Sequence, residues 1–203
     1  MTAILTRSDP AELAESGRAL ETATPLEILQ WASDGFGSRL TFATGFGAEG
    51  CLLIDLIGRH RLQIDIFTLD TGLLFPETYD LWRRLEERYA LTIRGVHPEH
   101  TVDEQAATHD PELWTRHPDR CCEMRKVSPL VAELSGFDAW ITAIRRDQTA
   151  RRADALAVDL EANGAHWGAV SNAGVTADGP FPGLSGDAWD RVLRTNLDGF
   201  YNV

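Results

Sequence analysis

One glycine-rich segment carries groups suited to binding an anion. Its members are Thr44, Gly45, Phe46, Gly47, Ala48 and Glu49. The segment follows a short apolar run and precedes an apolar stretch with helical spacing, so it is predicted to be a strand-to-helix turn. In such a turn, backbone N–H groups and a hydroxyl can receive a phosphate or sulfate. A tight turn without a ligand is the alternative interpretation, because glycine is common in turns.

A second segment places a carboxylate and a hydroxyl at the end of a predicted strand. It consists of Asp70, Thr71 and Gly72. These side chains are suited to hydrogen bonds with a ribose or an adenine amine. An Asx-type helix cap is the alternative, since Asp and Thr are common at helix starts.

A third segment is basic and also follows a predicted strand. It contains Arg145, Arg146 and Gln148. The guanidinium group matches the planar, bidentate geometry of phosphate and sulfate oxygens. A solvated run of charges is the alternative interpretation.

The adjacent residues Cys121 and Cys122 are candidate metal ligands. Neighbouring cysteines do not pair with each other without strain, but two thiolates can bind one iron-sulfur cluster. Arg125 and Lys126 follow closely and would favour the thiolate form. A cubane cluster needs four cysteines, and the remaining one, Cys51, is expected to be a buried apolar residue. The chain therefore supplies two of four ligands.

Charge and composition exclude several classes of partner. The formal net charge of -12 argues against binding to nucleic acid or to an anionic membrane. No apolar run reaches the length of a membrane span, and residues 1–20 lack the basic flank of a signal peptide. We therefore expect a cytoplasmic protein whose anionic ligand is a small molecule.

Alternating strand and helix patterns set the expected fold. Strands are predicted at 40–43, 62–69, 91–96, 139–144 and 167–170. Helices are predicted to begin at Pro10, Pro25 and Pro76, and to cover 52–57, 102–107, 123–134 and 152–162. This order predicts an α/β fold with a mostly parallel sheet and helices on both faces. Ligands bind at the carboxyl ends of such strands, which is where the three segments lie.

Together, the four motifs resemble one enzyme family. Thr44 to Glu49, Asp70 to Gly72 with Phe75-Pro76-Glu77-Thr78, Cys121-Cys122 through Lys126 to Pro129, and Arg145 to Gln148 occur in the order and spacing of the adenylyl-sulfate and phosphoadenylyl-sulfate reductases. The resemblance extends over residues 26–149. It implies a fold similar to the adenine nucleotide alpha hydrolases.

The resemblance also implies an activity in sulfate assimilation and cysteine biosynthesis, the reduction of adenylyl sulfate to sulfite and AMP. The first segment would hold the phosphosulfate, Asp70 to Gly72 would contact the nucleotide, and the arginines would neutralise its anions. The double cysteine suggests the branch that carries a [4Fe-4S] cluster and uses adenylyl sulfate. In this family a cysteine of a C-terminal tail attacks the sulfate sulfur, and thioredoxin resolves the product.

The sequence departs from this family at several positions. A second cysteine pair and the tail cysteine are absent from the 203 residues. Gly45 stands where many relatives have serine, and Ala143 where glycine is usual. We therefore assign no catalytic residue and expect binding of adenylyl sulfate or AMP without full turnover.

The last part of the sequence has a different resemblance. Gly164-Ala165, the turn formed by Asn172, Ala173 and Gly174, and Asn196 are similar to a short-chain dehydrogenase of the 3-oxoacyl-carrier-protein reductase type. The glycine-rich cofactor turn and the Tyr-x-x-x-Lys motif are missing, so NAD(P) is not expected to bind. We expect this fragment to contribute a strand and a helix to the sheet.

The sequence thus predicts two pieces, a nucleotide-binding domain at 1–150 and a dehydrogenase-like fragment at 151–203. A recombined or engineered chimera is the expected origin, and an exposed sheet edge at the end of the chain would favour a homo-oligomer. Three alternatives stay open: an NAD(P)-dependent short-chain reductase, a non-catalytic chimeric scaffold, and an ATP pyrophosphatase of the same superfamily.

Overall fold

A six-stranded sheet organises the molecule. The computed structural model describes residues 10–143, 157–160 and 167–170. The strands are β1 (Leu40–Ala43), β2 (Asp65–Leu69), β3 (Ile93–Val96), β4 (Ala139–Thr142), β5 (Val158–Leu160) and β6 (Trp167–Val170). Their order is β3-β2-β1-β4-β6-β5. All neighbouring strands are parallel except β5 and β6, which are antiparallel.

Eight α-helices lie in the described segments. They are α1 (Pro10–Leu20), α2 (Pro25–Phe36), α3 (Ala48–His60), α4 (Pro76–Tyr89), α5 (Val102–Thr108), α6 (Leu113–Arg116), α7 (Pro118–Cys122) and α8 (Ser128–Leu134). A 3-10 turn at Gly37–Arg39 precedes β1, and one π-helical turn at Glu123–Val127 joins α7 to α8. The alternation of strands and helices confirms the predicted α/β fold. No helix in these described segments is long and apolar enough to cross a membrane.

The apolar core lies between the sheet and the helices α2 and α3. Leu40 and Phe42 of β1 are fully buried, as are Leu29 of α2 and Leu53 and Ile54 of α3. Each such side chain contributes about 1.5–3 kcal/mol when it is removed from water. The helix α2 begins where the sequence predicts, because Thr24 forms a reciprocal capping box with Glu27 and proline occupies the first turn.

A polar network on the opposite face of the sheet connects three strands with α8. The Thr41 hydroxyl donates to Asp65 Oδ2 at 2.8 Å, and Arg94 donates to both carboxylate oxygens of Asp65 at 2.9 and 2.7 Å. Arg94 also reaches Glu133 Oε1 at 2.6 Å. Burial alone would raise the pKa of Asp65, but the hydrogen bonds from Arg94 and Thr41 outweigh it, and the pKa is lowered.

The parallel arrangement of β1, β2 and β4 places their carboxyl ends at one edge of the sheet. The chain runs from the central strand β1 to β2 and β3 on one side, and β4 pairs on the other side of β1. The point between β1 and β4 is therefore a topological switch point, where the loops after two strands diverge and leave a crevice. The loop after β1 begins at this crevice.

Several predicted elements differ from the observed ones. The helix predicted at 152–162 is wrong at Val158–Leu160, which is a strand, because pairing with β6 overrides helix propensity. The predicted helix at 123–134 begins as a π-helical turn, and the predicted turn from Thr44 to Glu49 ends early because α3 starts at Ala48. The short helices α6 and α7 were not predicted. The strand predicted at 167–170 is confirmed.

Candidate functional site

The loop after β1 is shaped by contacts within the loop and with the neighbouring strand β2. Thr44 extends the sheet ladder by donating its N–H to Phe67 O at 2.9 Å. The Thr44 hydroxyl accepts the Phe46 N–H at 3.1 Å. Phe46 has a left-handed backbone with φ 58°, and its ring is buried at 8% exposure. The Phe46 backbone is therefore engaged within the loop, through its N–H to Thr44 and its carbonyl to the Cys51 thiol, and its ring anchors the loop in the core.

The start of α3 supplies backbone N–H groups at this crevice. Gly47 precedes the helix in an extended conformation and has no side chain with which to cap it. The N–H groups of the first helical turn have no acceptor within the helix, and the helix dipole gives this end a partial positive charge. Gly50 lies against Thr44, because a Cβ atom there would be 2.7 Å from Thr44 Oγ1. The loop therefore packs closely against this first turn.

The loop after β2 is closed by the Asp70 carboxylate. Asp70 Oδ1 accepts the Gly72 N–H at 3.0 Å and the Tyr79 hydroxyl at 2.6 Å. His97 Nδ1 lies 3.8 Å from Asp70 Oδ2. The hydrogen bond to Asp70 raises the pKa of Tyr79. Asp70 thus closes an Asx turn but caps no helix, because α4 begins later, at Pro76, so the helix-cap alternative is wrong.

An aromatic series joins the two loops. The Phe46 ring lies 5.8 Å from the Trp82 ring, and the Trp82 ring stacks on Tyr79 at 6.4 Å, both measured between centroids. Tyr79 then donates to Asp70. The local sequence around Tyr79 and Trp82 carries no signal that these rings link the two candidate loops.

The two adjacent cysteines face different environments. Cys121 is buried at 6% exposure, and Arg125, four residues later, is buried at 3%. Cys122 and Lys126 are exposed. Residues four apart share one face of a helix, so the inner face carries a thiol and a guanidinium, and the outer face a thiol and an ammonium. The π-helical turn, closed by the Ser128 N–H donating to Glu123 O, joins this segment to α8.

A cavity of about 450 Å³ lies between the loop after β2 and α7. It brings together candidate residues from two motifs. Its lining comprises Thr71, Leu73, Leu74, Trp114, Pro118, Asp119, Cys121, Cys122, Arg125 and Lys126. Basic side chains at this cavity provide local positive charge in a chain whose formal net charge is -12.

The cysteines of this chain do not fit a cluster with four thiolate ligands. Among the described residues, no three His, Cys, Asp or Glu side chains group as a metal site would require. Cys51 lies in α3 at 2% exposure, and its thiol contacts Phe46 O at 3.5 Å. Burial raises the pKa of the Cys51 thiol to about 11. Cys51 is therefore the buried small side chain that the sequence predicts.

Several predicted site residues lie outside the described residues. They are Arg145, Arg146, Gln148, Asn172, Ala173, Gly174 and Asn196. The strand that precedes the arginine segment, β4, ends at Thr142 beside the end of β1, with Thr142 paired to Ala43. Sequence reasoning missed Gln105, a polar residue at 1% exposure, because nothing in its local pattern distinguishes it from a surface glutamine.

The comparisons with known proteins agree on one family. Residues 39–167 match the phosphoadenosine phosphosulfate reductase domain family, and this match ends beyond the predicted boundary at residue 150. The adenosine 5'-phosphosulfate reductase of Halalkalibacterium halodurans is 43% identical over 147 residues, which cover 72% of this chain and 64% of that protein. The enzyme of that name from Salinibacter ruber is 45% identical over 142 residues, which cover 70% of this chain and 56% of that protein.

The chain thus spans less than two thirds of the length of these curated relatives. A solved structure of phosphoadenylyl-sulfate reductase from Candida auris, a phosphate complex, superposes with a TM-score of 0.72 at 23% identity and covers 93% of this chain and 87% of that chain. At this identity the superposition shows the fold. The family match covers more than half of the chain, and the chain belongs to the phosphoadenosine phosphosulfate reductase domain family.

Proposed function

We propose that this chain binds an adenylyl anion, adenylyl sulfate or AMP, at the carboxyl edge of its sheet. The observation that carries the proposal is the uncapped start of α3 at the switch point, next to Thr44. Backbone N–H groups at such a helix start are suited to a phosphate or sulfate. The relatives named as adenosine 5'-phosphosulfate reductases support this class of ligand.

The two loops would contact different parts of the ligand. Thr44, Gly45 and Gly47 with the first turn of α3 would contact the phosphate and sulfate. Asp70, Thr71 and Gly72 would contact the nucleoside. The solved neighbour from Candida auris contains phosphate, which is the kind of anion proposed for the first loop. Arg145, Arg146 and Gln148 would add donors from the loop after β4.

The reaction of the whole enzyme is a further part of the proposal. Reduction of adenylyl sulfate to sulfite and AMP takes two electrons, which thioredoxin would supply. Among Cys51, Cys121 and Cys122 we assign no nucleophile, because the first is buried with a raised pKa and the pair belongs to the candidate metal segment. No step is assigned to an iron-sulfur cluster, since this chain provides only Cys121 and Cys122. Ligand binding without turnover is therefore the proposed property of this chain.

The organisation into residues 1–150 and 151–203 also remains a proposal. The short-chain dehydrogenase resemblance depends on Asn172, Ala173, Gly174 and Asn196, which lie outside the described residues. The strand β6 pairs in parallel with β4, as expected if the later segment extends the sheet. We propose no NAD(P) site in this segment, and NADPH serves as the ligand that tests this.

Calorimetric titration of the purified chain tests the proposal. AMP and adenylyl sulfate are expected to bind, adenosine to bind at least about tenfold more weakly because it lacks the anion, and NADPH not to bind. Gly136→Ala is a matched control away from both loops, because a Cβ there is in ordinary contact, 3.5 Å from Glu133 O. A folded chain that binds none of these ligands, or binds adenosine as tightly as AMP, would contradict the proposal.

A further inference from the structure

Arg125 is a buried cation with unusual partners. Its side chain, at 3% exposure, lies on the inner face of the π-helical turn. Arg125 Nε donates to Thr71 O at 2.7 Å, and Nη1 donates to His100 O at 3.2 Å and to Gln105 Oε1 at 3.1 Å. The guanidinium thus connects the loop after β2, the loop after β3 and the helix α5.

Every hydrogen-bond acceptor of Arg125 in the described segments is neutral. Two are backbone carbonyls and one is a side-chain amide. None of the carboxylates of the described residues forms an ion pair with it. Burial of a cation is costly unless its donors are satisfied, and a pairing carboxylate is the usual solution. The contacts of Arg125 instead fix main-chain oxygens of two loops.

The guanidinium also lies directly against the backbone of Gly72. This glycine has φ 70°, and a Cβ there would be 3.3 Å from Arg125 Nη2. Thr71 and Gly72 are therefore restrained from two sides, by the Asp70 carboxylate through the Gly72 N–H and by Arg125 through the Thr71 carbonyl. The Thr71–Arg125 bond joins residues 54 positions apart, so a distant segment determines the shape of this loop.

Gln105 holds Arg125 in place. The amide is buried at 1% exposure, and its Oε1 atom accepts from Arg125. Its Nε2 group lies 4.0 Å from Cys121 Sγ. A capping box between Thr101 and Glu104 fixes the first turn of α5 just before Gln105. A series of contacts therefore connects the cysteine segment with the loop after β2; it runs from Cys121 through Gln105 and Arg125 to Thr71.

We infer that Arg125 is a positioning residue that holds the Asp70–Gly72 loop in its binding shape through the fork of its guanidinium. It acts on the ligand through Thr71 and Gly72 and not by direct contact. The effect on ligand affinity depends on the proposed function, whereas the effect on the order of the loop does not. The two effects can therefore be tested separately.

Hydrogen exchange of the ligand-free chain is the first test. Arg125→Lys keeps the charge but replaces the planar fork by a single point donor. Amides of residues 70–74 are expected to exchange roughly tenfold faster or more, as fits the loss of one or two hydrogen bonds to a charged group. Amides of β1 and α2 are expected to be unchanged. Lys126→Met, at the exposed neighbour, is the control and should change neither region.

A second pair of variants keeps the test decisive if Arg125→Lys does not fold. Gln105→Glu retains an oxygen acceptor for Arg125, and Gln105→Met removes it at similar length. Only Gln105→Met is expected to accelerate exchange at residues 70–74. Equal exchange in both variants, or a uniform increase over the whole chain, would overturn the inference and leave Arg125 as an ordinary folding residue.

Titration with AMP completes the test. The dissociation constant is expected to rise about tenfold in Arg125→Lys and in Gln105→Met, with rescue in Gln105→Glu. Wild-type affinity in all three variants would overturn the inference while leaving the proposed function intact. Absence of AMP binding in the wild-type chain would refute the proposed function, and hydrogen exchange would still decide the role of Arg125.

Discussion

The two candidate ligand loops are built in different ways. The loop after β1 is held by residues within or next to it, through Thr44, Phe46 and Gly50. The loop after β2 is closed locally by Asp70, but it also accepts a hydrogen bond from Arg125 at the Thr71 carbonyl. The side-chain hydrogen bond that shapes the first loop comes from within the loop, and its Phe46 ring packs against Trp82. The shape of the second depends on a side chain that the chain supplies 54 residues later.

This difference indicates where each loop is vulnerable. Changes in the first loop are expected to act on packing, because its anchor is a buried ring and its closest contact is a glycine. Changes in the second are expected to act on backbone conformation and on hydrogen bonds. The effects on the free energy of unfolding should therefore be larger at the first loop.

The largest effect is expected for Phe46→Ala. The ring is buried and packs against Trp82, so its removal should lower the free energy of unfolding by about 3 kcal/mol or more. Alanine keeps a side chain at the same φ, so the change isolates the ring. Phe75→Ala is the matched control beside the second loop, because Phe75 is 76% exposed. Urea denaturation measures both, and equal losses would show that the ring does not anchor the loop.

A smaller effect is expected for Gly50→Ala. The new Cβ would lie 2.7 Å from Thr44 Oγ1, and this hydroxyl is fixed by the Phe46 N–H. Overpacking costs about 1–3 kcal/mol, and the better helix propensity of alanine returns up to about 1 kcal/mol. We expect a net loss of about 1–2 kcal/mol and weaker AMP binding. Gly136→Ala, whose Cβ would be in ordinary contact away from both loops, should be neutral in the same urea and titration experiments; a neutral Gly50→Ala would mean that the contact is not restrictive.

Gly72→Ala should cost about 1 kcal/mol. The residue has φ 70°, a conformation that alanine rarely adopts, and its Cβ would press on Arg125 Nη2 and Val102 Cγ2, both at 3.3 Å. Gly136→Ala is a suitable control, since a Cβ there is 3.5 Å from Glu133 O in ordinary contact. Urea denaturation should separate the two variants, and AMP affinity should fall only in Gly72→Ala. Identical behaviour would argue against a strained second loop.

The smallest effects on the fold are expected in an experiment on thiol reactivity, since modification of an exposed cysteine should leave the fold unchanged. Cys51 lies behind the first loop, and burial raises its pKa to about 11, so at pH 8 almost none of it is thiolate. Cys122 is exposed. Iodoacetamide should therefore modify Cys122 first and Cys51 only after denaturation, as followed by peptide mass spectrometry. Fast modification of Cys51 in the folded chain would mean that the first loop opens readily.

Local sequence patterns could predict much of the fold. The strand at Leu40–Ala43 and the starts of α2 and α4 follow from apolar runs and from prolines at helix starts. The error at Val158–Leu160 arose because strand pairing is a tertiary effect that an alanine-rich stretch does not reveal.

The candidate site was less predictable for the same physical reason. Thr44 to Gly47 form a loop that their own spacing indicates. Gln105 and the buried side of Arg125 carry no local signal, because their role arises only when α5, the π-helical turn and the loop after β2 meet. The sequence indicated Arg125 only as a positive charge beside the cysteine pair, whereas the structure buries it among neutral acceptors.

Backbone chemical-shift mapping with AMP tests the central claim most directly. The account predicts that the amide resonances that shift on titration belong to Gly47–Gly50 at the start of α3 and to Thr71–Leu73 after β2. The groove of about 910 Å³ at the other end of the strands, lined by Gly37, Arg61 and Ala90, should not respond. Shifts confined to that groove, or no shifts at either edge, would contradict a nucleotide site at the carboxyl ends of the strands.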